Sequence, residues 1–331
     1  MIKSILKYLF STLLAASLLY WAFSKSQLEW DDIYQTLLHA NYRWVTVAIV
    51  ISLVSHWLRA LRWEQLLDSL NYQPGQVRTF SAVLIGYFAN FIVPRMGEVS
   101  RCGSLQKTAD IPFEKSFGTV ITERIVDLLG LVVLVGITFL VEWKPIQSFL
   151  FPHTDTPPLT LIMGLIILGL IGLITLWFTK DFIIAKWEVL SKSSKVGQIL
   201  SGWIDGIISI KDVKRPGLFL IYTVAIWVAY FLNAYTLLLA FPSSENLGFS
   251  AALSILVMGT FGMATPTQGG IGAYHSLVAS TLFFYQIPMK EATALATFFH
   301  GTQMATILLF GGISFILTLF LPKKLSSVNS Q

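Results

Sequence analysis

The chain has 331 residues, 54% apolar and 12% charged, with a net charge of +5 and a mean hydropathy of +0.67. A soluble domain carries about twice that charged fraction, so a large water-soluble fold is excluded and an all-α polytopic membrane protein is expected, one integral domain over 1–331. One cysteine, Cys102, rules out an internal disulfide, and five scattered histidines without an HExxH pair give no reason to expect a metal or other cofactor.

In chain order, the run Leu6–Ser24 follows Lys3 and Lys7 and reads as a retained first span rather than a cleaved signal. Ile33, Leu37 and Leu38 make a short apolar stripe suited to an interfacial helix. Trp44–Leu58 is the second span, extended through Arg59–Leu61 with its arginines snorkelling to the surface. Phe80–Val93 then stops at Pro94 after a rise of about 21 Å, against a hydrocarbon core of about 30 Å. Ser116–Val141 is a full span that carries Glu123, Arg124 and Asp127.

Leu159–Thr179 opens the second half and leads into an amphipathic cytoplasmic or interfacial connector over 181–215. Gly217–Phe241 spans, and Ser250–Thr265 halts at Pro266 after about 24 Å. Glu291–Leu321 spans last.

Lys and Arg mark cytoplasmic loops. The loop 180–216 holds seven of them, the N-terminus holds Lys3 and Lys7, the loop after the second span holds Arg59, Arg62 and Arg78, and the C-terminus holds Lys323 and Lys324. All four share one side only if Phe80–Lys107 dips in and returns, so it reads as a re-entrant hairpin. Ser250–Gln286 reads the same way, although two short crossings would preserve the charge count equally. Six full spans and two re-entrant hairpins result. Each half, 1–158 and 159–331, runs span, span, hairpin, span, and an odd number of crossings turns the second copy upside down. Pro94-x-x-Gly97 and Pro266-x-x-Gly269 fall at matching places. Interrupted segments in an inverted repeat point to a transporter with its site near the midplane.

The charges need partners. Glu123, Arg124 and Asp127 cost roughly 7–10 kcal/mol near a bilayer centre, while the apolar residues of 128–141 return about 3–7 kcal/mol. Arg95, Glu98 and Arg101 at the hairpin tip are the nearest unusual group, and the six charges sum to zero. They would serve either to neutralise one another and pin the hairpin, or to form a polar cavity whose arginines grip a phosphate. In the second half, Thr265, Pro266, Gly269, Gly270 and Gly272 form either a plain tight turn or a backbone anion site at the helix start. His300 occupies the place corresponding to Glu123 and Asp127, as a pore residue or a packing group.

At these residues the sequence resembles the flippase-like family related to the transmembrane region of lysylphosphatidylglycerol synthase. Asn90, Pro94, Gly97, Glu98 and Arg101 match an N-x-x-x-P-x-x-x-G-E-x-x-R-like stretch with a shorter Pro–Gly gap. Glu123, Arg124 and Asp127 match E-R-x-x-D, and Thr265–Gly272 matches a P-x-P-G-G-x-G-like turn in which Thr267-Gln268 replaces the second proline. The resemblance implies translocation of a lipid or lipid-linked headgroup. Expected partners are membrane lipids, an anionic phospholipid or polyprenyl-linked headgroup, with a separate lipid-modifying enzyme as a further candidate and no nucleic acid. After Leu321 ten residues remain, so the aminoacyl-transfer domain of the fused synthases is not expected. The expectation is a non-enzymatic, multi-pass flippase of the inner cell membrane with both termini cytoplasmic. The alternatives are a non-transporting partner of an envelope-lipid or glycan enzyme, and a membrane-embedded lipid-phosphate enzyme.

Overall fold

The computed structural model describes residues 2–142 and 209–324. The predicted span Leu159–Thr179 and most of the connector 181–215 lie outside the described residues. Among those described there are ten α-helices and no strand. They are α1 (Ile2–Ser26), α2 (Trp30–His39), α3 (Tyr42–Ser69), α4 (Gln76–Ile92), α5 (Gly97–Ala109), α6 (Phe113–Val141), α7 (Pro216–Leu238), α8 (Gly248–Ala264), α9 (Ala273–Phe284) and α10 (Met289–Phe320). Helices α3, α6, α7 and α10 are long and apolar enough to cross a membrane.

Helix α3 runs 28 residues, to Ser69, about two turns past the predicted end at Leu61. Arg59, Arg62, Trp63, Leu66 and Leu67 share one face at helical spacing, and all five are buried. The expected snorkelling of Arg59 and the placing of Arg62 in a cytoplasmic loop are therefore corrected: both point into the protein, where acidic groups on α6 await them.

Helices α4 and α5 form a tight pair. The chain turns at 93–96, where Arg95 has φ 63°, and the Asn90 side chain accepts a hydrogen bond from the Gly97 backbone N–H at 2.7 Å. A Cβ at Gly97 would sit 2.5 Å from the Gly86 carbonyl oxygen, so only glycine lets the two helices approach this closely. At the open end, the Arg78 Nε donates to the Thr108 carbonyl at 3.1 Å, which places the start of α4 beside the end of α5. Helices α8 and α9 make a second pair through Gly262, where a Cβ would lie 2.6 Å from the Tyr274 Cα. Its open end is marked by Ser254 and Tyr285, whose hydroxyls lie 3.1 Å apart.

Both pairs lead out through the same local device. Asp110-Ile111-Pro112 and Gln286-Ile287-Pro288 each place a left-handed residue (φ 54° and 69°), then a buried isoleucine, then a proline that starts the next long helix. The order long, short, short, long thus occurs twice, as α3–α6 and α7–α10. A core cluster around Trp63, Leu105 and Val120 fills the first set, and one around Leu237, Val278 and Phe299 fills the second.

Contacts fix the two ends of the bundle. At one end Lys324 N donates to the Thr108 carbonyl at 2.9 Å, Lys323 pairs with Asp110 at 2.7 Å, and Lys214 pairs with Asp68 at 2.9 Å. At the other, Asn41 N donates to the Ala240 carbonyl at 2.8 Å and Lys290 pairs with Asp32 at 3.0 Å. The Glu29 backbone N–H, and then Lys290, hold the Asp32 carboxyl below the ordinary aspartate range. Helix α2 carries the stripe Ile33, Leu37 and Leu38, leaves Trp30, Tyr34, Leu37 and Leu38 exposed, and has no buried residue.

Candidate functional site

The acidic residues of α6 meet three helices. Glu123 and Asp127, one turn apart, are engaged by arginines from α3 and α5. Arg101 pairs with Glu123, and Arg62 reaches Glu123 Oε1 at 3.4 Å and Asp127 Oδ1 at 2.6 Å. Arg59 pairs with Asp127 Oδ2 at 2.9 Å and donates to the Tyr230 hydroxyl of α7 at 3.1 Å. Arg62 and Glu123 are both 0% exposed, and Arg59 and Arg101 4%. Arg101 also lies over the Trp63 ring at 4.4 Å, while the Trp63 indole donates to Thr119 Oγ1 at 2.8 Å. The more open Arg124 pairs with Glu98 at 2.7 Å.

Removing one member of such a buried pair costs about 3–5 kcal/mol, because the other charge is left without a counterion. The sequence reading gave α6 three partners at the hairpin tip. The structure brings two of them, Glu98 and Arg101, to α6 and adds Arg59 and Arg62. With these, five arginines (59, 62, 95, 101, 124) face three carboxylates (98, 123, 127), a surplus of two positive charges in place of the expected zero. The missed signal was the triplet spacing of Arg59 and Arg62 within WLRALRWEQLL, a stretch that continues a helical apolar face.

Above this network lies a cavity of about 690 Å³. Of the residues singled out in the sequence, Arg95, Glu98, Arg124, Asp127, Thr265 and Gly269 line it. Arg59, His56, Asn90, Trp227, Tyr230 and Gln303 line it as well. Arg101 and Glu123 are not on its wall; they lie in the ion network behind Arg62 and Asp127. The two hairpin turns approach one another here: a Cβ at Gly269 would be 3.4 Å from the Phe91 ring.

The second turn is held without ions. His300 Nε2 lies 2.8 Å from the Gly269 carbonyl oxygen, and its ring stacks on Tyr274 at 4.8 Å. His300 is buried and off the cavity wall, as are Gly270 and Gly272, while Pro266 is exposed away from it. The start of α9 is covered rather than open. A Cβ at Gly272 would meet Leu18 of α1 at 2.5 Å, and the Gly272 N–H donates to His275 Nδ1 at 3.2 Å. Among the described residues, no group of three or more His, Cys, Asp or Glu side chains could hold a metal ion.

The chain is similar to several known proteins. A UPF0104 membrane protein of Methanocaldococcus jannaschii is 32% identical over 29% of this chain and 30% of its own length. A UPF0104 membrane protein of Pyrococcus horikoshii is 30% identical over 34% of this chain and 36% of its own length. The glycosyltransferase AglD of Haloferax volcanii is 24% identical over 87% of this chain but only 51% of its own length. The matches therefore span between 30% and 51% of the length of these curated relatives. No solved structure matches. The profile of the lysylphosphatidylglycerol synthase TM region matches residues 5–311, nearly the whole chain, and the ion pairs of α3, α5 and α6 fall within that match. This protein belongs to the family of the lysylphosphatidylglycerol synthase TM region.

Proposed function

We propose that the protein translocates a lipid or lipid-linked molecule by binding its anionic headgroup in the cavity between the two hairpin turns. The observation that carries this reading is the surplus of positive charge around a cavity that Arg59, Arg95 and Arg124 line, at the meeting point of two interrupted helix pairs. Arginine's planar fork suits a phosphate, and intramembrane charge is costly enough to need a use. In this reading the two sets of four helices are inverted copies. The pairs α4–α5 and α8–α9 enter the bilayer from opposite faces, as the contacts Arg78–Thr108 and Ser254–Tyr285 at opposite ends of the bundle support. The basic end, with Lys214, Lys323 and Lys324, is cytoplasmic, and the membrane is the cell membrane. The chain itself catalyses no covalent step.

The test is exchange of a fluorescent anionic lipid between leaflets of vesicles holding the purified protein. Wild type should accelerate it, and Arg124→Ala and Asp127→Asn should each remove most of the gain. Equal exchange in wild type and both variants would dispose of the headgroup mechanism.

A second reading is favoured by the relation to a glycosyltransferase, since this chain aligns with about half of that protein. In it the chain is a non-transporting membrane partner of a glycan- or lipid-modifying enzyme. It predicts no exchange by wild type and tolerance of both substitutions in cells.

A further inference from the structure

Four of the five arginines at the first hairpin are engaged. Arg62 and Arg101 hold Glu123, Arg59 and Arg62 share Asp127, and Glu98 holds Arg124. Arg95 is exposed, lines the cavity and has no ion pair or hydrogen bond among the described residues. Its backbone is left-handed at φ 63°, a conformation that glycine or asparagine would adopt at lower cost. The turn geometry therefore gives no reason for an arginine; its side chain does. On the same cavity wall, Arg59 is 4% exposed and its Nε has no hydrogen-bond partner among the described residues, and the Trp227 indole N–H is buried and likewise unpartnered there.

We infer that the cavity takes a phosphate group with two or more negative charges, a terminal phosphomonoester or diphosphate, and that Arg95 reads the charge beyond the first. The inference rests on the headgroup-binding reading above. The five arginines and three carboxylates leave two positive charges uncompensated. A phosphodiester headgroup supplies one negative charge and leaves one arginine unmatched. A phosphomonoester carries about −1.5 to −2 at neutral pH and closes the balance. Its additional anionic oxygen meets the Arg95 guanidinium, which no carboxylate among the described residues occupies, in a site where charge-assisted hydrogen bonds are strong.

The test uses the full chain in phosphatidylcholine nanodiscs with four probes: dioctanoyl phosphatidic acid, farnesyl diphosphate, dioctanoyl phosphatidylglycerol and inorganic pyrophosphate. Binding is measured for wild type, Arg95→Gln and Arg95→Lys. Phosphatidic acid and farnesyl diphosphate should bind wild type about tenfold or more tighter than phosphatidylglycerol, as one extra charge-assisted contact implies. Arg95→Gln should erase that preference, weakening phosphatidic acid and farnesyl diphosphate about tenfold or more and phosphatidylglycerol clearly less, and Arg95→Lys should keep most of it. Because Arg95 is exposed at a turn, both variants should keep the wild-type thermal midpoint and monodisperse profile, which shows that they are folded. Pyrophosphate competing as well as farnesyl diphosphate would assign the site to a soluble phosphate ester; weak competition assigns it to a lipid. Equal wild-type affinity for monoester and diester, or an Arg95→Gln loss shared equally by both, overturns the charge-reading role but leaves the anionic headgroup site standing. Absence of binding by every probe overturns both.

Discussion

Glu123 answers to two arginines from different helices, so its loss and the loss of Glu98 should differ sharply. Glu123→Ala strands the buried Arg101 and leaves Arg62 only the Asp127 that it shares with Arg59, and should cost about 3–5 kcal/mol. Glu98→Gln removes a pair whose side chains are 26% and 46% exposed and should cost about 1 kcal/mol or less. Heating detergent-solubilised variants and following the monodisperse peak by size-exclusion fluorescence separates the two; similar losses would mean that the pairs are not unequal in this way. The acidic half of the network was legible in the sequence, because Glu123 and Asp127 interrupt an otherwise apolar helix. Its basic half was not. Arginines near a span's end satisfy the loop-charge rule as well as they satisfy a buried pair, and sequence alone does not say where a helix stops when its polar face is paired inside.

Among elements, the first hairpin depends on close backbone approach. Gly97→Ala would push a methyl against Asn90 and the Gly86 carbonyl oxygen and should cost about 1–3 kcal/mol by overpacking. Gly103→Ala, in the same helix with nothing within 4 Å of its added Cβ, should stabilise by about 0.5–1 kcal/mol. Opposite signs in thermal midpoint are the expected result, and a loss at both positions would argue against this packing. Pro94 and Gly97, like Pro266 and Gly269, marked these breaks in the sequence because proline and glycine end helices for local reasons. The paired Asp110-Ile111-Pro112 and Gln286-Ile287-Pro288 exits carried an equally local signal that went unread. The packing of α1 over Gly272 was invisible, since a contact between residues 18 and 272 leaves no trace in spacing.

For the molecule as a whole, the proposed arrangement fixes which surfaces face the same compartment. In a Cys102→Ser background, cysteines at Gln76 and Lys107 should react with an impermeant maleimide from the side that also labels Lys324→Cys. Cysteines at Glu245 and Glu291 should react only from the other side. Labelling of positions 76 and 107 from opposite sides would make α4 a crossing helix and end the hairpin reading. The helical membrane class followed from composition alone, because 12% charge cannot coat a soluble surface of this size.

The last described residues carry a mechanical consequence. Arg78 donates to the Pro322 carbonyl at 2.8 Å, and Lys324 reaches the Gln73 carbonyl at 2.6 Å as well as Thr108. The tail of α10 is thus buckled across the mouth of α4–α5, a belt joining the final helix of one set to the short helices of the other. Neither can tilt without tugging its counterpart, so any rocking of the bundle is geared at this rim.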